Sequence, residues 1–197
     1  MLTVGVIAFQ GDFSKHISVF RELGVEPRPV RRPDELTGLD GLVIPGGEST
    51  TIGMLMERFG VLAAVQELWR TQRLPIMGTC AGAILLADRI AGSDQVRLGL
   101  MDMEIERNAY GRQVDSFEAS LEVPVVGAAP VTGIFIRAPR ISRVGTEVTV
   151  LARFEGSPVI VQQDALLALS FHPELTGDYR IHTHFLQMIR SRQAQTL

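Results

Sequence analysis

The stretch Gly78-Thr79-Cys80-Ala81-Gly82 lies between two apolar runs of different character. Ahead of it, Leu74-Pro75-Ile76-Met77 reads as a short buried strand; behind it, Ala83-Ile84-Leu85-Leu86-Ala87 reads as a helix. Strand, sharp glycine-flanked turn and helix together make a nucleophile elbow, here with cysteine at the apex. The glycines admit a tight turn without a Cβ clash. A helix that begins at the cysteine aims N–H groups and partial positive charge at the sulfur, which favours thiolate. The competing reading is a buried free thiol packed as a small apolar side chain. A base elsewhere in the chain decides between them.

Outward from the elbow, the first half alternates. Leu2 to Phe9 reads as a strand, Ser14 to Leu23 as a helix with Phe13, Ile17 and Phe20 on one face, and Val25 to Val30 as an edge strand carrying two prolines. Gly41 to Ile44 is apolar throughout, as a strand covered on both faces is. The loop Pro45-Gly46-Gly47-Glu48-Ser49-Thr50 follows. Its successive glycines let backbone N–H groups face a ligand, and Ser49 or Thr50 is expected to cap the next helix. That helix places Ile52, Leu55, Met56 and Phe59 on one side, and another follows with Leu62, Val65 and Trp69. The pattern implies a mostly parallel sheet with helices on both faces, an α/β fold. After Gly92 come short strands, Met103 to Arg107, Phe117 to Val123, Ile134 to Arg137, Val148 to Phe154, Ser157 to Gln163 and Ala165 to Phe171, and a last helix over Tyr179 to Arg190. Residues 1–197 are expected to form a single domain.

Composition narrows the function. The chain has 197 residues, 46% hydrophobic and 21% charged, with a formal net charge of −3 and one cysteine. No basic stripe offers itself to nucleic acid, and no apolar run approaches the roughly 20 residues that span a bilayer. One cysteine makes no internal disulfide. The first residues read as a strand rather than a signal peptide, so a cytoplasmic location is expected.

Four histidines compete for the role of base. His16 is expected at the surface of the first helix. His182 and His184 stand about 200° apart on their helix and cannot share a ligand; no metal site and no cofactor are expected. His172 follows the strand ending at Phe171, at the edge where α/β sheets place their chemistry. Pro173 biases it to an extended backbone, from which Glu174, two residues on, projects to the same side. A carboxylate there fixes the ring's tautomer and leaves its other nitrogen for the thiol proton. Cys80, His172 and Glu174 thus read as nucleophile, base and orienter.

At this point the chain resembles the class I glutamine amidotransferases through its Gly-x-Cys-x-Gly elbow and its His172-Pro173-Glu174. Gln10-Gly11-Asp12, Pro45 to Thr51, Glu106-Arg107-Asn108-Ala109-Tyr110-Gly111-Arg112-Gln113, Phe135-Ile136-Arg137-Ala138-Pro139 and Phe171 to Leu175 make it more similar to the glutaminase-subunit family of pyridoxal 5′-phosphate synthase (PdxT family). Tyr110 stands where phenylalanine is more usual, and Ala128-Ala129 where acidic residues are frequent. The resemblance implies a three-layer, flavodoxin-like amidotransferase fold and hydrolysis of L-glutamine to glutamate and ammonia through a glutamyl thioester. It implies Gly47, Glu48, Ser49, Arg107, Ile136 and Arg137 as the glutamine-binding set, with Arg107 or Arg137 on the substrate's α-carboxylate. Backbone N–H groups of Gly47 and Ala81 would form the oxyanion hole. It further implies delivery of ammonia to a synthase subunit (PdxS family) within a large hetero-oligomer, docked in part through Gln10, Gly11 and Asp12. The residues leave open a glutaminase serving another synthase, and a cysteine-elbow hydrolase or chaperone.

Overall fold

The computed structural model describes residues 1–107, 109 and 116–195. In chain order it runs β1 (Thr3–Ile7), α1 (Phe13–Glu22), β2 (Glu26–Val30), β3 (Gly41–Ile44), α2 (Ser49–Arg58), α3 (Val61–Gln72), β4 (Ile76–Thr79) and α4 (Ala81–Leu86). The second half adds β5 (Ala87–Ile90), β6 (Met101–Glu106), β7 (Ser116–Leu121), β8 (Val131–Ile136), β9 (Arg140–Val144), β10 (Thr149–Phe154), β11 (Ser157–Gln163), β12 (Leu166–Leu169) and α5 (Arg180–Gln195). The motif positions Asn108 and Tyr110 to Gln113 lie outside the described residues.

The main sheet has the order β10-β11-β12-β4-β3-β1-β2. Its five strands from β12 to β2 are parallel, and β11 and β10 add antiparallel at one end. The run β2-β1-β3-β4-β12 is the flavodoxin-like order. Alternation explains the three layers. Leu42, Ile44, Ile76, Leu166 and Ala168 face one apolar cluster, while Val43, Met77, Leu167 and Leu169 face the other. Side chains two apart share a face, so strands apolar at every position demand cover on both sides. Helices α2, α3 and α4 supply it on the first face through Ile52, Val65 and Leu85. On the second, α1 and α5 do so through Phe20, Ile181 and Phe185. The proline-bearing β2 takes the edge, where a missing N–H costs no ladder bond.

Four local expectations change. His16 is fully buried rather than at the surface. It stands about 40° from Phe20 around the helix axis, so the buried face of α1 includes it. The cap of α2 is Glu48, not Ser49 or Thr50; its carboxylate accepts from the Thr50 and Thr51 N–H groups at 3.0 and 2.7 Å. Phe59, which ends α2, is 48% exposed and stacks on Phe9 at a centroid distance of 5.5 Å instead of joining the core stripe. Strands β5 and β9 complete a separate three-stranded sheet with β6. Their periodicity is too short to read: β5 exposes its middle two residues, and β9 buries only Ile141. Cross-strand pairs Arg140–Glu106 and Arg143–Asp102, at 2.7 and 2.9 Å, secure β9 from the outside. Among the described residues, no helix is long and apolar enough to cross a membrane.

Phe185 is completely buried, whereas Met54 is 58% exposed. Phe185→Ala is expected to lower the unfolding free energy by about 3–5 kcal/mol, and Met54→Ala to change it by no more than about 0.5 kcal/mol. Urea denaturation of the two variants checks the contrast; equal losses would contradict the layer assignment.

Candidate active site

The site assembles at the carboxyl ends of β1, β3, β4 and β12. Cys80 ends β4 with φ +48° and ψ −102°, a conformation rarely held by a residue with a side chain. Two hydrogen bonds hold it there. The Cys80 N–H donates to the Leu169 carbonyl at 2.8 Å, and the Ile84 N–H donates to the Cys80 carbonyl at 3.2 Å. The elbow also needs close backbone approach. A Cβ on Gly82 would run into the Ile44 carbonyl, and one on Gly78 would lie 2.5 Å from the Gly82 carbonyl oxygen. The sulfur is thereby presented at the sheet edge, in a residue only 7% exposed.

His172 follows β12, its backbone N–H donating to the Ile134 carbonyl at 2.9 Å. Its Nδ1 lies 2.8 Å from Glu174 Oε1. The expected pairing is present, by a different backbone route. Residues Pro173–Leu175 form a 3₁₀ turn rather than extended chain, so the turn curls Glu174 back under the ring. Burial pushes the His172 ring down. The neighbouring Cys80 side chain and the hydrogen-bonded Glu174 carboxylate outweigh this and raise it to about 10. At neutral pH it is an imidazolium held between sulfur and carboxylate. Burial likewise pushes the Glu174 carboxyl up, and the His16 and His172 rings beside it bring it below the ordinary carboxylate value. His16 is itself held neutral by burial, so His172 is the cation that matters here.

The glycine loop closes the other side. Gly46 packs against the His172 ring so tightly that any Cβ there would strike the imidazole. The Asp12 N–H donates to the Gly46 carbonyl at 3.2 Å, and the Glu48 N–H donates to Gln10 Oε1 at 2.8 Å. Gln10, Gly11 and Asp12 therefore clamp this loop. Because the Gly46–Gly47 amide is trans, anchoring its carbonyl on Asp12 turns the Gly47 N–H away from the clamp. Ala81 opens α4, where first-turn N–H groups have no intrahelical acceptor.

A cleft of about 150 Å³ joins these parts, lined by Cys80, His172, Gly47, Glu48, Ser49, Arg107, Ile136, Arg137, Asp12 and Ile84. All six residues of the implied glutamine-binding set are among them. The volume suits a molecule well below drug size. The two arginines differ. The Arg107 guanidinium donates to Glu48 Oε1 at 3.2 Å, Gln95 Oε1 at 2.8 Å and Thr50 Oγ1 at 3.2 Å. Arg137 makes no ion pair among the described residues and sits at φ +45°, which bends the chain as it leaves β8. Three participants were not legible as cleft residues. Gln95 anchors Ser49, Thr50 and Arg107; Asp12 brings Oδ2 within 3.8 Å of His172 Nδ1; His16 stands 3.4 Å from the second Glu174 oxygen. Asp12 carried a signal in the Gln10-Gly11-Asp12 stretch, read as a docking segment, and His16 in its spacing from Phe20; Gln95 carried none.

The His172 shift has a direction in pH. Its folded value, about 10, exceeds the ordinary 6.5, so the ion pair adds stability that is complete below about pH 6.5 and is lost as pH rises through about 10. NMR titration of the ring is expected to show imidazolium persisting above pH 8, and a lower value in Cys80→Ala. A wild-type ring neutral at pH 7 would contradict this.

Comparison with known proteins agrees with the geometry. A profile of the SNO glutamine amidotransferase family matches residues 6–191. The "Pyridoxal 5'-phosphate synthase subunit PdxT" of Moorella thermoacetica is 52% identical over 188 residues, covering 95% of this chain and 100% of that one. Its namesake from Pelotomaculum thermopropionicum is 53% identical over 186 residues, 94% of each. A crystal structure of a glutamine amidotransferase superposes with a TM-score of 0.90 at 49% identity, covering 95% of this chain and 98% of that one. The structure of PurLQS from Thermotoga maritima, 15% identical with a TM-score of 0.70 over 99% of this chain and 98% of that one, shares the fold. With both ends of the match lying close to the ends of the chain, this protein belongs to the SNO glutamine amidotransferase family.

Proposed function

We propose that the chain is the glutaminase subunit of a pyridoxal 5′-phosphate synthase, hydrolysing L-glutamine with Cys80, His172 and Glu174. The observation that carries this reading is a lone cysteine on a strained elbow in the same cleft as an imidazole whose Nδ1 is 2.8 Å from a buried carboxylate. Residues matching the family's glutamine loop line that cleft beside it.

The chemistry follows from the protonated ring beside the sulfur. The sulfur attacks the side-chain carboxamide carbon of glutamine, and the carbonyl π electrons move onto oxygen. The Gly47 and Ala81 N–H groups receive that oxyanion. His172, already protonated, gives its proton to the amide nitrogen as the C–N bond breaks and ammonia departs. The neutral ring then takes a proton from water, whose oxygen attacks the thioester. Glutamate leaves, and the sulfur and the protonated ring return to their starting state. Glu174 keeps the ring oriented throughout.

Substrate orientation rests on unequal arginines. Arg107 is engaged with Glu48, whose carboxyl, pushed up by burial, is brought down to about 2 by hydrogen bonds from Thr51 and Thr50. Arg137 is the guanidinium left to grip the α-carboxylate in bidentate fashion. The ammonia passes to a synthase subunit. Docking of that subunit over Gln10, Gly11 and Asp12 would act on the loop that they clamp, giving the partner a handle on the Gly46–Gly47 peptide. The reaction is placed in the cytoplasm, where the single thiol stays reduced.

Mixing the pure chain with a pyridoxal 5′-phosphate synthase subunit and glutamine is expected to yield the cofactor; failure there, with success alongside another synthase, would reassign the partner. Cys80→Ala is expected to abolish ammonia release while leaving synthase binding intact, and Glu174→Gln to lower kcat steeply with the fold preserved. Ammonia release by Cys80→Ala at the wild-type rate would reject the mechanism. Arg137→Lys is expected to raise the glutamine KM about 10- to 100-fold through loss of paired charge-assisted bonds; an unchanged KM in steady-state assays would move the carboxylate contact elsewhere.

A further inference from the structure

Behind Glu174 lies a pair of imidazoles that the chemistry above does not use. His16 on α1 and His182 on α5 are both completely buried, and His16 Nδ1 is 3.0 Å from His182 Nε2. The opposite edge of His16 presents Nε2 to Glu174 Oε2 at 3.4 Å and to Thr79 Oγ1 at 3.3 Å. The pair thus runs from the core of the second helical layer to the back of the carboxylate that orients His172. Burial lowers both rings, His182 to about 3, so each carries one N–H and one lone pair at neutral pH.

Two tautomeric arrangements satisfy the 3.0 Å contact, and the carboxylate chooses between them. If His16 donated from Nδ1, its Nε2 lone pair would face the Glu174 carboxylate, and His182 would bury an N–H at Nδ1, an atom without a partner. The reverse arrangement removes both penalties. His182 Nε2–H donates to His16 Nδ1, and His16 Nε2–H donates to Thr79 Oγ1, with Nε2 lying 3.4 Å from Glu174 Oε2, a buried oxygen that has no hydrogen-bond partner among the described residues. His182 Nδ1 is then a bare acceptor, the less costly of the two orphans because no N–H is left unmet.

We propose that His16 is a positioning residue of the glutaminase reaction, its tautomer locked by His182 so that Nε2–H faces the second oxygen of Glu174 across 3.4 Å while the first holds His172. The proposal rests on the glutaminase reading above. It extends the line Cys80–His172–Glu174 by two buried rings contributed by helices at opposite ends of the chain. A carboxylate held at one oxygen only is free to rotate about its terminal bond; a ring N–H facing the second oxygen favours one rotation and steadies the lone pair presented to His172. Thr79, immediately before the nucleophile, shares the same N–H and ties the support to the elbow.

Two measurements test this. In the full chain labelled with ¹⁵N, ring-nitrogen shifts are expected to show Nε2 protonated and Nδ1 bare on both His16 and His182; a protonated Nδ1 on His16 would overturn the proposal. In the presence of the synthase subunit, His16→Leu is expected to lower kcat for glutamine hydrolysis about 10- to 100-fold, with KM unchanged within about twofold. His16→Gln, which keeps an N–H donor, is expected to recover most of that loss. Wild-type kcat in His16→Leu, or equal impairment in both variants, would reduce His16 to packing and overturn the proposal. Should His16→Leu fail to fold, the ring-nitrogen shifts and His16→Gln still decide. A wild-type chain that releases no ammonia would sink the glutaminase reading itself and the positioning role with it, a result the unmutated control identifies on its own.

Discussion

The pairing of β4 with β12 is the constraint on which the site depends. Their parallel register sets Thr79 beside Leu169, and the next backbone N–H, that of Cys80, donates to the Leu169 carbonyl. Cys80 and His172 are thereby carried on adjacent strands pointing the same way, each leaving the sheet within three residues of the other's level. Parallel strands place all their carboxyl ends along one edge. The glycine loop after β3 and the Gln10–Asp12 segment after β1 arrive at that edge for the same reason. A slip of one residue in this register would turn the side chains of β12 to the wrong layers and carry His172 away from the sulfur.

Charge is concentrated where the structure is driest. His172, Glu174, His16 and His182 are all buried, and an unpaired ion at such depth is strongly unfavourable. The arrangement answers this with consecutive partners. Sulfur faces imidazolium, imidazolium faces carboxylate, and carboxylate faces a neutral ring. Apolar residues of both layers, Phe20 and Phe171 on one side and Ile44 and Ala81 on the other, keep water from competing with these contacts. Burial that would be a liability for any single member makes the set stiff.

The glycine loop shows how a small contact set can carry two duties. Gly46 must be glycine because the His172 ring lies against it. Its carbonyl is fastened to Asp12, and the next residue but one is fastened to Gln10. The segment proposed to meet a synthase subunit is therefore the same segment that sets the orientation of the proposed oxyanion amide. Glu48 belongs to this logic too. It caps α2 and engages Arg107, so helix start and glycine loop are one piece.

Local patterns were enough to determine the elbow, the continuous apolar strands and the helical stripes, because each depends on neighbours in the chain and on periods of two or 3.6 residues. They also exposed His172-Pro173-Glu174, although the turn that joins its members is 3₁₀ rather than extended. What neighbours in the chain do not determine is which face of a helix meets a sheet, and there the reading of His16 as a surface residue failed. Its environment is made by α5, more than 160 residues away, whose His182 meets it at 3.0 Å. Gln95 was hidden for the same reason, and Asp12 was read only as a partner contact: a polar residue in a loop looks alike whether it faces solvent or a cleft. The sequence by itself determined the elbow, the His172-Pro173-Glu174 segment and the layers that flank them. Only tertiary packing decided what stands behind the carboxylate, since burial and partnership are properties of the whole fold and not of any one segment.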